Sequence, residues 1–328
     1  MIRGIFRCAA LTALLILPLG FAWATGEQEN SSQATVATVD TESFPLEITD
    51  GLGNRITVSQ KPQSIISLSL FSDEVLLNLV DPDRFAGASS LATDPIYSNV
   101  ADVAAEIETR VDFNVEQIIS IYPDIVIAAS WSEADKITQL RDAGLVVYQV
   151  NTPFSVDGIK EEIRSLAAIV GEPDAGEDLV SRMEEKIAEL TRVVVDIPES
   201  ERVQALDYNN WGTASGADTT WNEVLRLAGV DNAAAPYESG DFGQVPMSKE
   251  LIVEIDPDVI FLPGFIWGDD EGAEGFRAQV LNDPAFADLY AIEHEQVYMV
   301  PEHLKGTYSH YLVDAAKFVA RLVYPQRF

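Results

Sequence analysis

The chain has 328 residues, 47% of them hydrophobic, so it is long enough to form two domains that each bury a core. It carries 53 acidic and 21 basic residues, which gives a formal net charge of −32. Nucleic acid and anionic membrane surfaces are therefore poor partners, because both repel a strongly acidic protein.

The N-terminus predicts an exported protein. Arg3 and Arg7 precede an apolar run, and Ala22-Trp23-Ala24 places small residues around a cleavage point. We therefore predict a signal peptide over residues 1–24, cleaved after Ala24, and a periplasmic location; an uncleaved membrane tether is the alternative. The single cysteine, Cys8, lies inside this segment, so we expect neither a disulfide nor thiol chemistry in the exported chain.

Residues 25–43 are polar and lack aromatic residues, which predicts a disordered linker before structure begins near Phe44. A hairpin is expected over residues 46–58, where two alternating segments flank a turn containing glycine. Apolar runs then alternate with amphipathic segments. The predicted strands are 64–70, 85–89, 124–128 and 145–150, and the predicted helices are one capped by Ser72, one over 114–122 and one over 132–143. This alternation implies a mostly parallel sheet covered on both faces, in which ligands bind beyond the carboxyl ends of the strands.

The stretch from Asp157 to Val195 predicts two long helices. Gly171 suits a left-handed helix end and Pro173 suits the first turn of the next helix, so we expect the two helices to run nearly end to end. The second helix carries an apolar stripe at helical spacing. Its members are Leu179, Met183, Ile187, Leu190 and Val194.

The alternation restarts after this stretch. The predicted strands are 202–208, 258–262 and 296–300, and the predicted helices are 220–228, 249–255, 283–290 and 309–323. Residues 115–127 and 249–261 align without a gap, each a short helix opened by glutamate, a Pro-Asp turn and a buried strand. Two copies at matching places in the two halves predict a pair of similar lobes.

Five features occur in a fixed order along the chain: the opening DGLGNRITVSQKPQSIISLS, the first helix-Pro-Asp-strand unit with its later repeat, the long connector, AGVDN at 228–232 and the closing LVYPQRF. Together they resemble the helix-linked periplasmic substrate-binding proteins of ABC importers, the group that takes ferric siderophores, haem and cobalamin. The resemblance implies an α/β fold of two Rossmann-like lobes with mostly parallel sheets, joined by a long rigid connecting helix. The implied segments are an N-terminal lobe over 44–154, connecting helices over 155–196 and a C-terminal lobe over 197–328.

The resemblance also implies the partners and the mode of action. It implies a monomer that captures an iron chelate (a ferric siderophore or haem) or a cobalamin-like corrinoid in the cleft between the lobes and delivers it to an ABC permease. Glu116 and Glu250, the first glutamates of the two repeated units, match the positions that dock onto permease arginines in the family. The purely structural alternative is that each glutamate stabilises its helix by about 0.3–1 kcal/mol, because a negative charge in the first turn interacts favourably with the helix dipole.

Loops after the predicted strands of both lobes carry the candidate ligand-binding side chains, and their aromatic rings suit a flat or bulky organic ligand. The candidates are Phe71, Tyr97, Trp131, Tyr208, Asn210, Trp211, Trp267 and His303. Trp221 opens a helix and is expected in the core. Few basic residues fall in these loops, Lys305 and Arg110 being two, which favours a neutral or hydroxamate siderophore or a corrinoid over an anionic chelate.

We expect no bound metal ion, because all three histidines fall in the second half of the chain and no set of ligands converges from both lobes. We expect neither a cofactor nor catalysis, because no nucleophile-and-base motif is recognisable. The Ser72-Asp73-Glu74 sequence is interpreted as a helix start. The alternatives are an exported hydrolase or a ligand-sensing receptor module on the same two-lobed fold.

Overall fold

The structure is a computed structural model that describes residues 44–269 and 272–328. The predicted signal peptide and the predicted linker, residues 1–24 and 25–43, lie outside the described residues. Within the described part of the chain, no helix combines the length and the apolar character needed to cross a membrane.

The described chain opens with the predicted hairpin. Strand β1, Leu46–Thr49, pairs antiparallel with β2, Arg55–Val58. The Asp50 carboxylate closes the turn by accepting hydrogen bonds from the backbone N–H groups of Leu52 and Asn54, at 3.0 and 2.8 Å. An aspartate that bonds its own turn in this way is typical of such loops.

The first lobe is built around a four-stranded parallel sheet with the order β4-β3-β5-β6. Its strands are β3 (Ile65–Ser67), β4 (Phe85–Gly87), β5 (Ile125–Ala129) and β6 (Val147–Val150). Its helices are α1 (Leu70–Leu76), α2 (Ala101–Ala104), α3 (Val115–Ile121) and α4 (Ala134–Asp142). The prediction that Ser72 caps α1 was wrong. The strand ends at Ser67, so the helix begins earlier and the Ser69 hydroxyl caps it by accepting the Ser72 N–H.

The second lobe repeats this plan with the sheet order β12-β11-β7-β9, again all parallel. Its strands are β7 (Gln204–Asp207), β9 (Asp231–Asn232), β11 (Val259–Pro263) and β12 (Val297–Val300), with a separate antiparallel pair of β8 (Thr213–Ser215) and β10 (Gln244–Pro246). Its helices are α7 (Thr220–Leu227), α8 (Lys249–Ile255), α9 (Gly272–Leu281), α10 (Tyr290–Glu293), α11 (Glu302–Lys305) and α12 (Leu312–Val323).

The predicted helix over 283–290 was wrong. The Asp283 carboxylate accepts the Ala285 N–H and forms a turn, and α10 begins only at Tyr290. Helix α9 and the β8–β10 pair were not predicted. In α9 only Ala273 and Val280 are buried, so no apolar stripe marks it.

The connector consists of α5, Val156–Val170, and α6, Pro173–Val194, and the end-to-end arrangement was wrong. Ion pairs join Lys160 to Glu184 at 3.1 Å and Arg164 to Glu177 at 2.7 Å, so the helices form an antiparallel hairpin. Gly171, at φ 71°, ends α5 in the left-handed conformation and reverses the chain. Helix α5 packs on α1 of the first lobe, while α6 packs on α5 and on α7 and α12 of the second lobe. The 22-residue α6 is therefore the long connecting helix.

Candidate ligand-binding site between the lobes

The two repeated units have the same backbone geometry. Helices α3 and α8 are capped by the side chains of Asn114 and Ser248 and end at left-handed residues with φ 54° and 45°. Asp124 then accepts the Ser64 N–H at 3.0 Å, and Asp258 accepts the Gln204 N–H at 2.8 Å. Each aspartate thus anchors the start of the neighbouring parallel strand. The gapless sequence repeat is therefore a structural repeat.

The carboxyl-end loops of the two sheets meet at one side of the cleft. Tyr97, in the loop after β4, contacts Phe265 and Trp267, in the loop after β11, with ring centroids 5.7 and 5.9 Å apart. Nearby, the Asn99 amide donates to the backbone carbonyl of His303, after β12, at 2.9 Å. The β4 edge of the first sheet therefore faces the β12 edge of the second.

The other side of the cleft holds a cavity of about 540 Å³ between the loop after β6 and the loop before α7. The Val156 N–H donates to the Glu223 carboxylate across this side at 3.3 Å. The β4 edge therefore faces the β12 edge, and the β6 edge faces the β9 edge. Because the strand orders are β4-β3-β5-β6 and β12-β11-β7-β9, the loop after β5 lies opposite the loop after β7. Those loops carry Trp131 and Trp211.

Exposure divides the predicted aromatic residues into two groups. Trp131, Trp211 and Trp267 are 73%, 81% and 76% exposed, which leaves their faces available to a ligand. Asn210 is exposed beside Trp211. Trp221 is only 2% exposed and packs edge-on against Phe261, as predicted for a core residue.

Two predicted ligand residues do not lie in open loops. Phe71 is half-buried and lies in α1 instead of a loop, because that helix begins before it. The Tyr208 ring contacts Phe276 of α9 at 5.6 Å and Phe286 at 6.3 Å. Within the described part of the chain, Tyr97 and Trp267 are the only two of the eight candidates whose rings contact each other. For all eight, ligand contact stays a prediction.

His303 is half-buried and lines a second cavity of about 450 Å³ together with Asn99 and Tyr311. Burial lowers the pKa of His303, so its ring is neutral at physiological pH. Burial, reinforced by Lys186 and Arg182, lowers the pKa of His310 to about 3. No group of three His, Cys, Asp or Glu side chains suited to a metal ion is present among residues 44–269 and 272–328.

The two basic residues of the predicted loops are both engaged. Lys305 forms an ion pair with the buried Asp207 at 2.9 Å, and its ammonium lies 4.5 Å from the centre of the Trp221 ring. Asp207 also accepts the Ser215 hydroxyl at 2.6 Å. Arg110 donates to the backbone carbonyls of Ile107 and Ala104. Neither cation is therefore available to an anionic ligand without losing these partners.

Glu116 and Glu250 occupy corresponding places in the two lobes. Each is the second residue of its helix, α3 or α8, and each side chain is exposed. Hydrogen bonds from its own backbone and from Ser248 lower the pKa of Glu250, as expected at a helix N-terminus. A helix that leads into a parallel strand starts near the carboxyl-end edge of the sheet, so both carboxylates lie on the cleft side of their lobes.

Some residues of the cleft were not identified from the sequence. Phe154, which lines the larger cavity, is about half exposed, and Asp218 lies on the opposite wall. Phe154 follows β6 as Trp131 follows β5, so the rule that selected Trp131 would have found it. Glu74 was interpreted only as part of a helix start, yet its carboxylate contacts the second lobe through Ser309.

Comparison with known proteins agrees with this architecture. A model of the periplasmic binding protein family matches residues 65–304. YvrC of Bacillus subtilis, an uncharacterised ABC transporter substrate-binding lipoprotein, is 26% identical over an alignment of 334 positions, gaps included, that covers 99% of this chain and 98% of YvrC. A cobalamin-binding protein of Halobacterium salinarum is 26% identical over 259 residues, covering 79% of this chain and 69% of that protein.

Solved structures share the fold. MolA of Haemophilus influenzae, bound to molybdate, superposes with a TM-score of 0.72 at 21% identity, covering 86% of this chain and 92% of MolA. The haem-binding protein HmuT gives a TM-score of 0.68 at 21% identity, covering 88% of this chain and 93% of HmuT. The predicted α/β fold of two lobes with parallel sheets is confirmed. Because the family model matches most of its length, the chain belongs to the periplasmic binding protein family.

Proposed function

We propose that this periplasmic binding protein is the substrate-binding component of an ABC importer and captures a corrinoid or an iron chelate between its lobes. The observation that carries the proposal is the set of three exposed tryptophans, Trp131, Trp211 and Trp267, on carboxyl-end loops of the two sheets. These three rings lie at the carboxyl ends of the strands, which is where ligands bind in folds built on parallel sheets. Rings on both lobes suit a ligand with extended apolar faces.

The charge of the cleft favours a ligand without carboxylates. Lys305 and Arg110 are engaged within the protein. The cavity of about 540 Å³ is lined by four carboxylate side chains and by no lysine, arginine or histidine among the described residues. The carboxylates are Glu161, Glu162, Asp218 and Glu223. A neutral corrinoid or hydroxamate chelate therefore fits better than haem, ferric citrate or an oxyanion, and the cobalamin-binding relative supports the corrinoid.

We propose a binding role without catalysis. Ser72, the serine of the Ser-Asp-Glu sequence, is fully buried, and its hydroxyl bonds to the hydroxyls of Ser67 and Ser69 at 2.7 Å. A hydroxyl held among other serines inside a helix start lacks both a base and access to substrate, so it is not a nucleophile for a hydrolase.

The test is a titration of the purified protein with a ligand panel, followed by intrinsic tryptophan fluorescence and calorimetry. The panel contains cyanocobalamin, a ferric hydroxamate, haemin, ferric citrate and molybdate. We expect quenching and saturable heat with cyanocobalamin or the hydroxamate, and weak or no binding of the three anionic compounds. If no panel member binds, or if only an anionic one does, the proposed ligand class is wrong.

We further propose that Glu116 and Glu250 dock onto the permease and that the lobes are bounded as 44–154 and 197–328, with connecting helices over 155–196. Corresponding exposed carboxylates, one on each lobe, support a contact that spans both lobes. An exported monomer would suit this role, since each copy must present both carboxylates to one permease.

A further inference from the structure

Glu74 links the two lobes through a buried hydrogen-bond network. It lies in α1 of the first lobe and is 1% exposed. Its carboxylate accepts the Asn99 N–H at 2.9 Å and the Asn99 side-chain amide at 2.7 Å, and it accepts the Ser309 hydroxyl from the second lobe. The same Asn99 amide also donates to the His303 carbonyl of the second lobe at 2.9 Å. One carboxylate thus holds two connections between the lobes.

Glu223 has a comparable role on the other side of the cleft. It lies in α7, which corresponds to α1, and the sequence Glu-Val-Leu begins at both Glu74 and Glu223. Its carboxylate accepts the N–H of Val156, the first residue of α5, at 3.3 Å. Arg226 holds the carboxylate in place through two hydrogen bonds of 2.6 and 2.8 Å.

Separating the lobes would break these bonds. At Glu74 it would leave a buried carboxyl group without the Ser309 hydroxyl, and the Asn99 amide without the His303 carbonyl. Buried polar groups that lose their partners are costly, so the Glu74 network resists a change in the angle between the lobes. The half-buried Glu223 would keep Arg226 but lose the Val156 N–H, which adds a smaller resistance. The two networks lie on opposite sides of the cleft, near β4 and near β6.

We propose that Glu74 and Glu223 form a pair of inter-lobe latches. The partner of Glu74 is Ser309 of the second lobe, and the partner of Glu223 is Val156, the first residue of the connecting helix α5, which packs on α1 of the first lobe. The latches fix the angle between the lobes before any ligand arrives. The cleft is therefore preorganised by its own polar contacts as well as by the stiffness of α6. This inference does not depend on the identity of the ligand.

The experiment measures the distance between the lobes in the ligand-free protein. Ser120→Cys in α3 and Glu254→Cys in α8 place spin labels at corresponding exposed positions, one on each lobe, in a Cys8→Ser background. Distance distributions are recorded by double electron–electron resonance. The latch variants are Ser309→Ala, Glu74→Met, Glu223→Met and the Glu74→Met/Glu223→Met double variant, with Glu74→Gln as the conservative replacement.

Asp73→Asn is the matched control. Asp73 precedes Glu74 in the same helix and is fully buried, but its hydrogen-bond partner Ser89 lies in the same lobe. We expect the latch variants to broaden the distance distribution, most of all in the double variant, and Glu74→Gln to broaden it less than Glu74→Met. The control should match the parent protein. If Ser309→Ala and the double variant also match the parent, or if Asp73→Asn broadens the distribution equally, the latches are refuted.

Discussion

The sequence predicted the burial of some side chains of the candidate site correctly and that of others incorrectly. Trp221 was correctly placed in the core, because it follows the capping residue Thr219 in an amphipathic helix. Tyr208 was expected in an open loop. Its N–H instead donates to the Phe261 carbonyl, which extends the hydrogen bonding between β7 and β11, and its ring packs on Phe276. The packing partner belongs to α9, which no sequence pattern marked. The exposure of a residue at a strand end therefore depends on elements remote in the chain.

Asp73 gives the protein a pH-dependent stability that can be isolated by one substitution. Burial raises the pKa of Asp73 to about 7, although the Ser89 hydroxyl partly opposes this shift, and one carboxyl oxygen has no hydrogen-bond partner among the described residues. The folded protein therefore binds a proton that the unfolded chain releases near pH 3.8. The stabilisation from this group is complete below that pH and is lost as the pH rises toward about 7.

We expect Asp73→Asn to flatten the stability profile over this range. The slope of the unfolding free energy against pH should differ between parent and variant by up to about 1.4 kcal/mol per pH unit between pH 4 and 7. Urea unfolding of both proteins at half-unit pH intervals measures this difference. Parallel profiles would show that Asp73 is ionised in the folded protein.

In the connector, the sequence predicted where the two helices end and begin but not how they are arranged relative to each other. Gly171 and Pro173 correctly predicted a helix end and a new helix start, but not the reversal between them. The reversal depends on close packing of α5 and α6, and Gly176 makes that packing possible. A Cβ atom at Gly176 would lie 2.4 Å from the Ala167 Cβ.

Gly176→Ala should therefore destabilise the protein, by about 1–3 kcal/mol, because the two helices must move apart. Gly275→Ala is the matched control, since a Cβ at this exposed position in α9 meets no atom of residues 44–269 or 272–328 within 4 Å. The control should gain up to about 1 kcal/mol from the higher helix propensity of alanine. Urea denaturation of both variants measures the two effects. Equal stability changes would mean that the hairpin does not require a glycine at 176.

Most strands and long helices of both lobes were predictable to within a few residues, because their apolar runs and caps are local signals. Helix α8 was predicted at its observed bounds, Lys249–Ile255. The pair of β8 and β10 was not predicted, because it joins Thr213–Ser215 to Gln244–Pro246 across some thirty residues. The candidate site was predictable as a set of loops, but which rings stay exposed depends on the packing of both lobes.

At the level of the complete protein, two sheets with the same strand order face each other across one cleft. Counted from its first strand and leaving aside β8 and β10, each sheet has the order 2-1-3-4. This symmetry places Glu116 and Glu250 at corresponding sites, which supports a docking surface that spans both lobes.

Reversing both charges tests the docking proposal. In Glu116→Lys/Glu250→Lys, uptake of the ligand by cells that carry the cognate permease should be lost, because lysine repels the permease arginines. The affinity of the purified protein for the ligand should be unchanged. Ser120→Lys/Glu254→Lys, which changes exposed residues one turn further along the same helices, is the control and should retain uptake. Normal uptake by the Glu116/Glu250 variant would refute the docking assignment.

The most direct test of ligand capture between the lobes is a crystal structure of the protein with the panel member that binds most tightly. We predict ligand density in the cleft, in contact with Trp131 of the first lobe and Trp211 of the second. Ligand bound on the outer surface of one lobe, or within the cleft but remote from both tryptophans, would contradict the account.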